Sequence, residues 1–319
     1  MNSLIKRKKY HTYEVRRALF LILPTYLILF TFIIVPIFFA FYLSFNKWNL
    51  LGTMKYVGIS NYKKLFQMEE FWKALVNTFY YSFITVPLGI CISLVLALLL
   101  NTRIKGLMFY RTAYFMPVMT SVVASAFIWQ WIFQSQNGIL NYLFGMIGLQ
   151  QLSWLNEPKG IFTVIFESMG VTIPRWLGGP SVTLVAISIM SIWKNTGYYM
   201  IIFLAGLQNI PKTLYEAAEI DGAGPVKKFF SITLPILSPT TFFVLIMAVI
   251  VSFQVFEQVA VTTQGGPLNS SLVLVYFIYE RAFKFLEVGY ASSAAYILFA
   301  IVIILTYFQV RLLGRRVHY

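Results

Sequence analysis

Charge is scarce in this chain. Only 11% of its 319 residues are charged, with 11 Asp+Glu against 25 Lys+Arg. Soluble domains of this size carry about 25% charged residues, so a water-soluble globule is excluded. Histidine is confined to His11 and His318, both in polar tails. That removes Ser-His dyads, HExxH zinc sites and histidine proton relays from the interior. The lone Cys91 rules out an intrachain disulfide framework or a cysteine-ligated zinc site and reads as a packing residue. No GxxxxGK[ST] segment occurs, so the chain has no Walker-type phosphate cradle of its own. The basic excess falls in short clusters between uncharged runs, a membrane-topology pattern and not a nucleic-acid face.

What is present is apolar: 59% hydrophobic and 18% aromatic, with mean hydropathy +0.73. A helix needs about 20 apolar residues to cross a hydrocarbon core, and six runs qualify. They lie between Arg17 and Lys47, between Lys73 and Arg103, from Arg111 to about Gln134, from Ser181 to Leu207, from Ile236 to Val261, and from Val288 to Tyr307. Lipid leaves helices as the spanning form, which predicts an all-α polytopic membrane protein with six transmembrane helices. The run after the basic stretch Lys6–Arg17 is too long for a signal h-region and is a retained span. Arg103, Lys105, Arg111, Lys212, Lys227, Lys228, Arg311, Arg315 and Arg316 join that stretch on one side. The basic density there exceeds that of the longer opposite loops, although Lys47, Lys55, Lys63, Lys64 and Lys73 crowd the first of them, and it places both termini in the cytoplasm. The expected division is a basic N-tail at 1–17, a six-helix domain at 18–312 with a cytoplasmic loop at 208–235, and a C-tail at 313–319.

That loop is the most structured polar segment. Thr213 or its neighbour can start a short helix with Glu216 and Glu219 toward its N-terminal half. Gly222 and Gly224 permit a turn, Pro225 suits the first position of a second helix with Phe229 and Phe230 on its apolar side, and Pro235 closes it. The product is a compact helix-turn-helix facing the cytosol, serving either as an interfacial connection or as a docking element.

Inside the fourth run lies Lys194, costly at a bilayer centre, within Trp193-Lys-Asn-Thr-Gly-Tyr-Tyr199. It either faces a cavity suited to sugar rings and hydroxyls or snorkels to water near Gly197. In the fifth run Ser252 and Phe256 are four apart and share a helical face. Glu257 either neutralises Lys194 or faces water at the outer mouth. An ion-coupled secondary transporter using that Lys/Glu pair is therefore an alternative reading of the residues.

The pattern EAA-x-x-DGA over Glu216–Ala223, followed by F-x-x-I-x-LP up to Pro235, resembles the signature loop of permease subunits of binding-protein-dependent ABC importers. Val57-Gly-Ile-Ser-Asn-Tyr62, Asn77-Thr78, Arg111-Thr-Ala-Tyr-Phe-Met-Pro117, Leu204-Ala-Gly-Leu-Gln-Asn-Ile-Pro211, Gly265-Gly-Pro267 and Tyr276–Phe283 resemble the carbohydrate-uptake branch, in its shorter six-span form.

The resemblance implies a type I importer permease fold that is itself non-catalytic and binds no cofactor, with ATP and Mg on a partner ATPase. It implies further partners: a second permease subunit, two ATPase copies, an extracytoplasmic solute-binding protein facing the loop 136–180, and membrane lipid, with no nucleic acid. Glu216 would contact a basic residue of the ATPase, Gly222 would permit the turn, and Ala217, Ala218, Asp221 and Ala223 would shape the short helix. Ser191, Lys194, Asn195 and Tyr198 match substrate-path positions on the fourth span, and Ser252 on the fifth. Lys194 and Asn195 replace an apolar residue and a glycine of that pattern, which favours a polyhydroxylated or anionic ligand.

Overall fold

The computed structural model describes residues 2–102 and 105–314, and the side chains of 2–14, 16 and 175 lie outside that description. Arg103, Arg315, Arg316 and His318, and the side chains of Lys6, Arg7, Lys8, Lys9, His11, Arg16 and Arg175, are thus outside the described residues. The structure is helical: α1 (Asn2–Leu29), α2 (Val35–Ser44), α3 (Ser60–Gln67), α4 (Glu69–Leu100), α5 (Leu107–Met119), α6 (Val122–Ile132), α7 (Ile139–Met146), α8 (Ile161–Ser168), α9 (Val182–Gln208), α10 (Lys212–Ile220), α11 (Pro225–Lys228), α12 (Leu234–Ile236), α13 (Ser238–Phe253), α14 (Glu257–Thr262), α15 (Leu274–Tyr279) and α16 (Val288–Leu313). A two-residue hairpin pairs β1 (Asn46–Lys47) with β2 (Lys55–Tyr56). The chain forms two compact units, residues 1–65 with 281–296 and residues 66–280 with 297–319.

In the first unit a helix runs unbroken over Arg17–Ser44. It passes through a π turn at Phe30–Ile34, next to Pro36, whose missing N–H cannot join the i−4 ladder. Phe20, Leu21, Phe32 and Phe38 are exposed along it, as a lipid- or partner-facing helix requires. The Val57–Tyr62 motif proves structural: Asn61 Nδ2 donates to the carbonyls of Ser44 and Asn46 at 2.9 and 3.0 Å, and Tyr62 donates to Ser44 Oγ at 2.8 Å. The motif therefore clamps the hairpin to the end of α2.

The second unit is built around α9, the least apolar of the expected spans and the most buried. Helices over Arg17–Ser44, Glu69–Leu100, Ser238–Thr262 and Val288–Leu313 are long and apolar enough to cross a membrane, and α5 with α6 forms a further pair bent by 100°. Met200, Phe203, Leu204 and Leu207 of α9 pack with Leu100 of α4 and Val244 of α13. Between helices lipid supplies no hydrophobic contrast, so small residues and hydroxyls join them. Ser93 Oγ donates to the Thr196 carbonyl at 3.0 Å, and a Cβ on Gly197 would lie 2.2 Å from the Tyr114 carbonyl. Only glycine lets α5 and α9 approach this closely.

Three expectations need correction. The third run is not one straight span: it breaks at Thr120–Ser121, after Pro117, into α5 and α6. The fifth run breaks at Gln254–Phe256, where Phe256 has φ −141° and ψ −62°; Ser252 and Phe256 consequently do not share a helical face. Pro235 does not close its helix, because Leu237 N still donates to the Thr233 carbonyl and Thr241 N to that of Leu237. A π turn at Phe229–Thr233 absorbs the proline's missing donor.

The segment 136–180 forms α7 and α8 around Asn141. Its Nδ2 donates to the Ser135 and Leu152 carbonyls, while its Oδ1 accepts from Leu152 N and Trp154 Nε1. Trp154 is buried against Phe133, Val182 and Ala186, whereas Trp176 is exposed. The aromatics of this segment are therefore not uniformly headgroup-level.

Candidate functional site

The loop at 208–235 folds as two short helices. Helix α10 starts at Lys212, the neighbour of Thr213, after Pro211, within the expected start. It ends on Asp221, with Gly222 at φ +72°. Gly222 N donates to the Glu219 carbonyl at 3.0 Å and Ala223 N to the Ala218 carbonyl at 2.8 Å. This pair of bonds is the Schellman ending, which places a left-handed residue where glycine costs least. Asp-Gly-Ala is thus the helix stop, and Gly224, at φ −70°, is ordinary backbone before Pro225.

Glu219 is bridged to Lys228 at 2.6 Å, and Tyr215 is hydrogen-bonded to Thr233 at 2.9 Å, so α10 is braced on the segment after it. Glu216 is exposed and, among the described residues, makes no ion pair or hydrogen bond. Ala217 and Asp221 are also exposed, Ala218, Ala223 and Pro235 are half-buried, and Ile220 is 89% exposed. An acid without a partner thus stands beside bare aliphatic surface on a braced helix.

A second site lies among α4, α9 and α13. Ser191 and Asn195 of α9 meet Ser252 of α13 around a cavity that Tyr81, Thr85 and Tyr199 also line. Ser252 Oγ is 2.7 Å from Ser82 Oγ, and Asn195 Nδ2 donates to the Ser191 carbonyl. Ser191 Oγ is buried without a hydrogen-bond partner; the Tyr81 hydroxyl lies nearby, outside hydrogen-bond geometry. The cavity measures about 20 Å³, room for one water and far too small for a sugar. Sequence reasoning missed Tyr81 and Tyr199, although Tyr199 follows Asn195 at helical spacing.

Four expected path residues are placed elsewhere. Lys194 is buried and donates from Nζ to the carbonyls of Pro117 at 3.0 Å and Thr120 at 2.7 Å. It joins Thr120 N and Oγ1 on the Pro117 carbonyl and so caps the C-terminus of α5 at the 100° break. Tyr198 is 42% exposed and sits edge-on to Tyr199. Phe256 packs on Tyr276 and Tyr279. Glu257 is exposed in the first turn of α14 and forms no salt bridge with Lys194. The intramembrane ion pair of the secondary-transporter reading is not formed.

The motifs on the opposite side lock one another. Asn77 Nδ2 donates to the Asn269 and Leu272 carbonyls at 3.1 and 2.9 Å, and Thr78 Oγ1 accepts from Leu274 N at 2.9 Å. The segment after Gly265-Gly-Pro267 is thereby fixed to α4. Beside it, Lys159 pairs with Glu167 at 2.7 Å, and that carboxylate raises the Lys159 pKa above the ordinary lysine value.

Comparison with known proteins gives a consistent result. The family model described as "Binding-protein-dependent transport system inner membrane component" matches residues 14–319. A probable ABC transporter permease protein, YesP of Bacillus subtilis (strain 168), is 34% identical over 90% of this chain and 87% of its own length. The sn-glycerol-3-phosphate transport system permease protein UgpA of Yersinia pestis bv. Antiqua is 31% identical over 93% of this chain and 96% of its own. Among solved structures, a bacterial alginate ABC transporter in complex with an alginate pentasaccharide-bound periplasmic protein superimposes with TM-score 0.75. It is 22% identical and covers 95% of this chain and 96% of that chain; this likeness is one of fold, that of a type I ABC importer permease.

Proposed function

The chain belongs to the family of binding-protein-dependent transport system inner membrane components, and from that premise we propose how it works as a multi-pass permease subunit of an ATP-driven ABC importer for a sugar or related polyol. Six spans, counting α9 and the bent α5–α6 pair, return both termini to the cytoplasm. The tails 1–17 and 313–319 flank the membrane domain 18–312. A second permease subunit completes the pathway, and two ATPase subunits hold ATP and Mg. This chain supplies no catalytic group and binds no cofactor. A solute-binding protein delivers the ligand from outside.

The observation that carries this reading is the exposed, unpartnered Glu216 on a helix braced by the Glu219–Lys228 pair. Segment 208–235 docks into a cleft of the ATPase, where a basic residue meets Glu216 in a charge-assisted contact and Ile220 loses its water. Closure of the ATPases on ATP moves the two permease loops and opens the pathway outward. Along it, Ser191, Asn195 and Ser252 bond to hydroxyls once α13 parts from α4 at the Ser82–Ser252 contact. Lys194 and Phe256 act around the path by holding helices in place, while Tyr198 and Glu257 flank it.

The test is purification of the tagged chain in mild detergent, with identification of co-purifying polypeptides and an ATPase assay. An ATPase and a second permease should be recovered, and both ATPase association and solute-stimulated hydrolysis should be lost when 216–222 are scrambled. Recovery of a folded, transporting chain by itself would overturn the reading.

A further inference from the structure

A large pocket of the second unit lies at the end of α4 away from the loop at 208–235. It measures about 780 Å³, within the size range of small-molecule sites. The start of α4, the segment 158–181 and the segment 268–270 all contribute to it. Its walls are fixed by internal bonds: Asn77 Nδ2 to the Asn269 carbonyl, and Ser181 Oγ to the Ser270 carbonyl at 2.8 Å. Such a pocket is preformed, so a ligand would bear little ordering cost.

Its charge is one-sided. Lys73 and Lys159 line it and no carboxylate does. Their acids stand outside the lining: Glu69, i,i+4 to Lys73 at 2.9 Å, has a side chain 82% exposed, and Glu167 has one 40% exposed. Exposed pairs of this kind are weak and readily exchanged for a better-placed anion. The raised pKa of Lys159 keeps that residue cationic. Ser270 lines the pocket with its Oγ screened from solvent.

The pocket also leads somewhere. Lys73, Asn77, Tyr81 and Thr85 recur every four residues along α4, forming a stripe that winds by about 40° per step. The first two line this pocket and the last two line the closed cavity at Ser191 and Ser252.

Resting on the importer reading, we propose that this pocket is an outer receiving site for an anionic, hydroxylated solute, a sugar or polyol bearing a carboxylate, phosphate or sulfonate. Lys73 and Lys159 hold the anion, and Asn77 meets a hydroxyl. The α4 stripe then hands the solute inward when the inner cavity opens.

The experiment is equilibrium binding of labelled glycerol 3-phosphate and glucuronate, with glycerol and glucose as neutral matches, to the purified transporter in nanodiscs without its solute-binding protein. At least one anionic probe should bind saturably and more weakly as salt rises. Lys73→Gln with Lys159→Gln should weaken it by about tenfold or more, the loss expected for charge-assisted bonds, and Lys73→Arg with Lys159→Arg should keep it. Three results would each overturn the proposal: no saturable anion binding, equal binding of the neutral matches, or binding indifferent to the glutamine pair. Unchanged probe binding with weaker association of the solute-binding protein would make the pocket a protein-docking surface instead. Co-purified ATPase activity, measured on the same samples, reports separately on the importer reading.

Discussion

Lys194 Nζ lies 2.7 Å from the Thr120 carbonyl, so a cation in the most buried helix is committed to the broken end of another helix. With Pro117 accepting a second bond, the ammonium has little left for a solute. Arg111 does the same one helix earlier, donating to the Leu100 carbonyl at the end of α4.

Replacing Lys194 with Met should therefore damage stability before affinity. Losing charged hydrogen bonds at the α5–α6 bend costs about 1.5–3 kcal/mol, so the Lys194→Met complex should melt several degrees lower, with uptake KM near wild type. Thermal unfolding and uptake kinetics check this. Unchanged melting with a large rise in KM would return Lys194 to the substrate path.

Gly197→Val should fail where Gly89→Ala succeeds. The added carbon at 197 meets the Tyr114 carbonyl at 2.2 Å, while nothing lies within 4 Å at 89. Overpacking costs about 1–3 kcal/mol or more, here against backbone. Membrane-inserted yield and melting temperature of the two variants measure the difference.

Glu216→Ala and Gly222→Val should uncouple the transporter by different routes. The first removes the exposed acid without touching the fold. The second forces a branched residue to φ +72°, about 1–2 kcal/mol of backbone strain, and loosens the end of α10. Solute-stimulated ATPase activity and uptake should both collapse, whereas Glu219→Ala, whose pair with Lys228 is internal, should mainly soften the loop. Normal uptake by either of the first two variants, with the complex intact, would sink this assignment.

Ser82→Cys with Ser252→Cys, in a chain where Cys91 is replaced by Ala, should trap the closed cavity. The hydroxyls at 2.7 Å bring these side chains close enough to bridge. Oxidation should stop uptake and reductant should restore it. Full uptake by the oxidised, demonstrably bridged protein would show that α4 and α13 need not part.

The sequence made the helices and their ends legible wherever composition carries the physics. Runs of apolar residues set the spans, and Asp221-Gly222-Ala223 announced a helix stop because only glycine rests easily at that backbone angle. The fifth run hid its break, since Gln254, Val255 and Phe256 include neither proline nor glycine. Pro235 misled in the opposite direction, because a π turn can carry a helix past a proline. Lys194 was legible as costly and therefore engaged, but its partner is a pair of carbonyls 74 and 77 residues away. Backbone acceptors leave no mark in a sequence. The meeting of Ser191, Asn195 and Ser252 was legible through resemblance, while Tyr81 depended on the packing of α4.

The helical hydrogen bonding that continues past Pro235 gives the segment from Pro225 to Phe253 a mechanical meaning. At 1.5 Å per residue, such a run has a path length of about 40 Å, from the second short helix of segment 208–235 at one end to Ser252 at the other. Tilting it by about 10° about the first end would sweep Ser252 through roughly 7 Å, well beyond the reach of a hydrogen bond to Ser82. Small angular movements at the 208–235 end would thereby be geared up into displacements on the scale of a sugar ring.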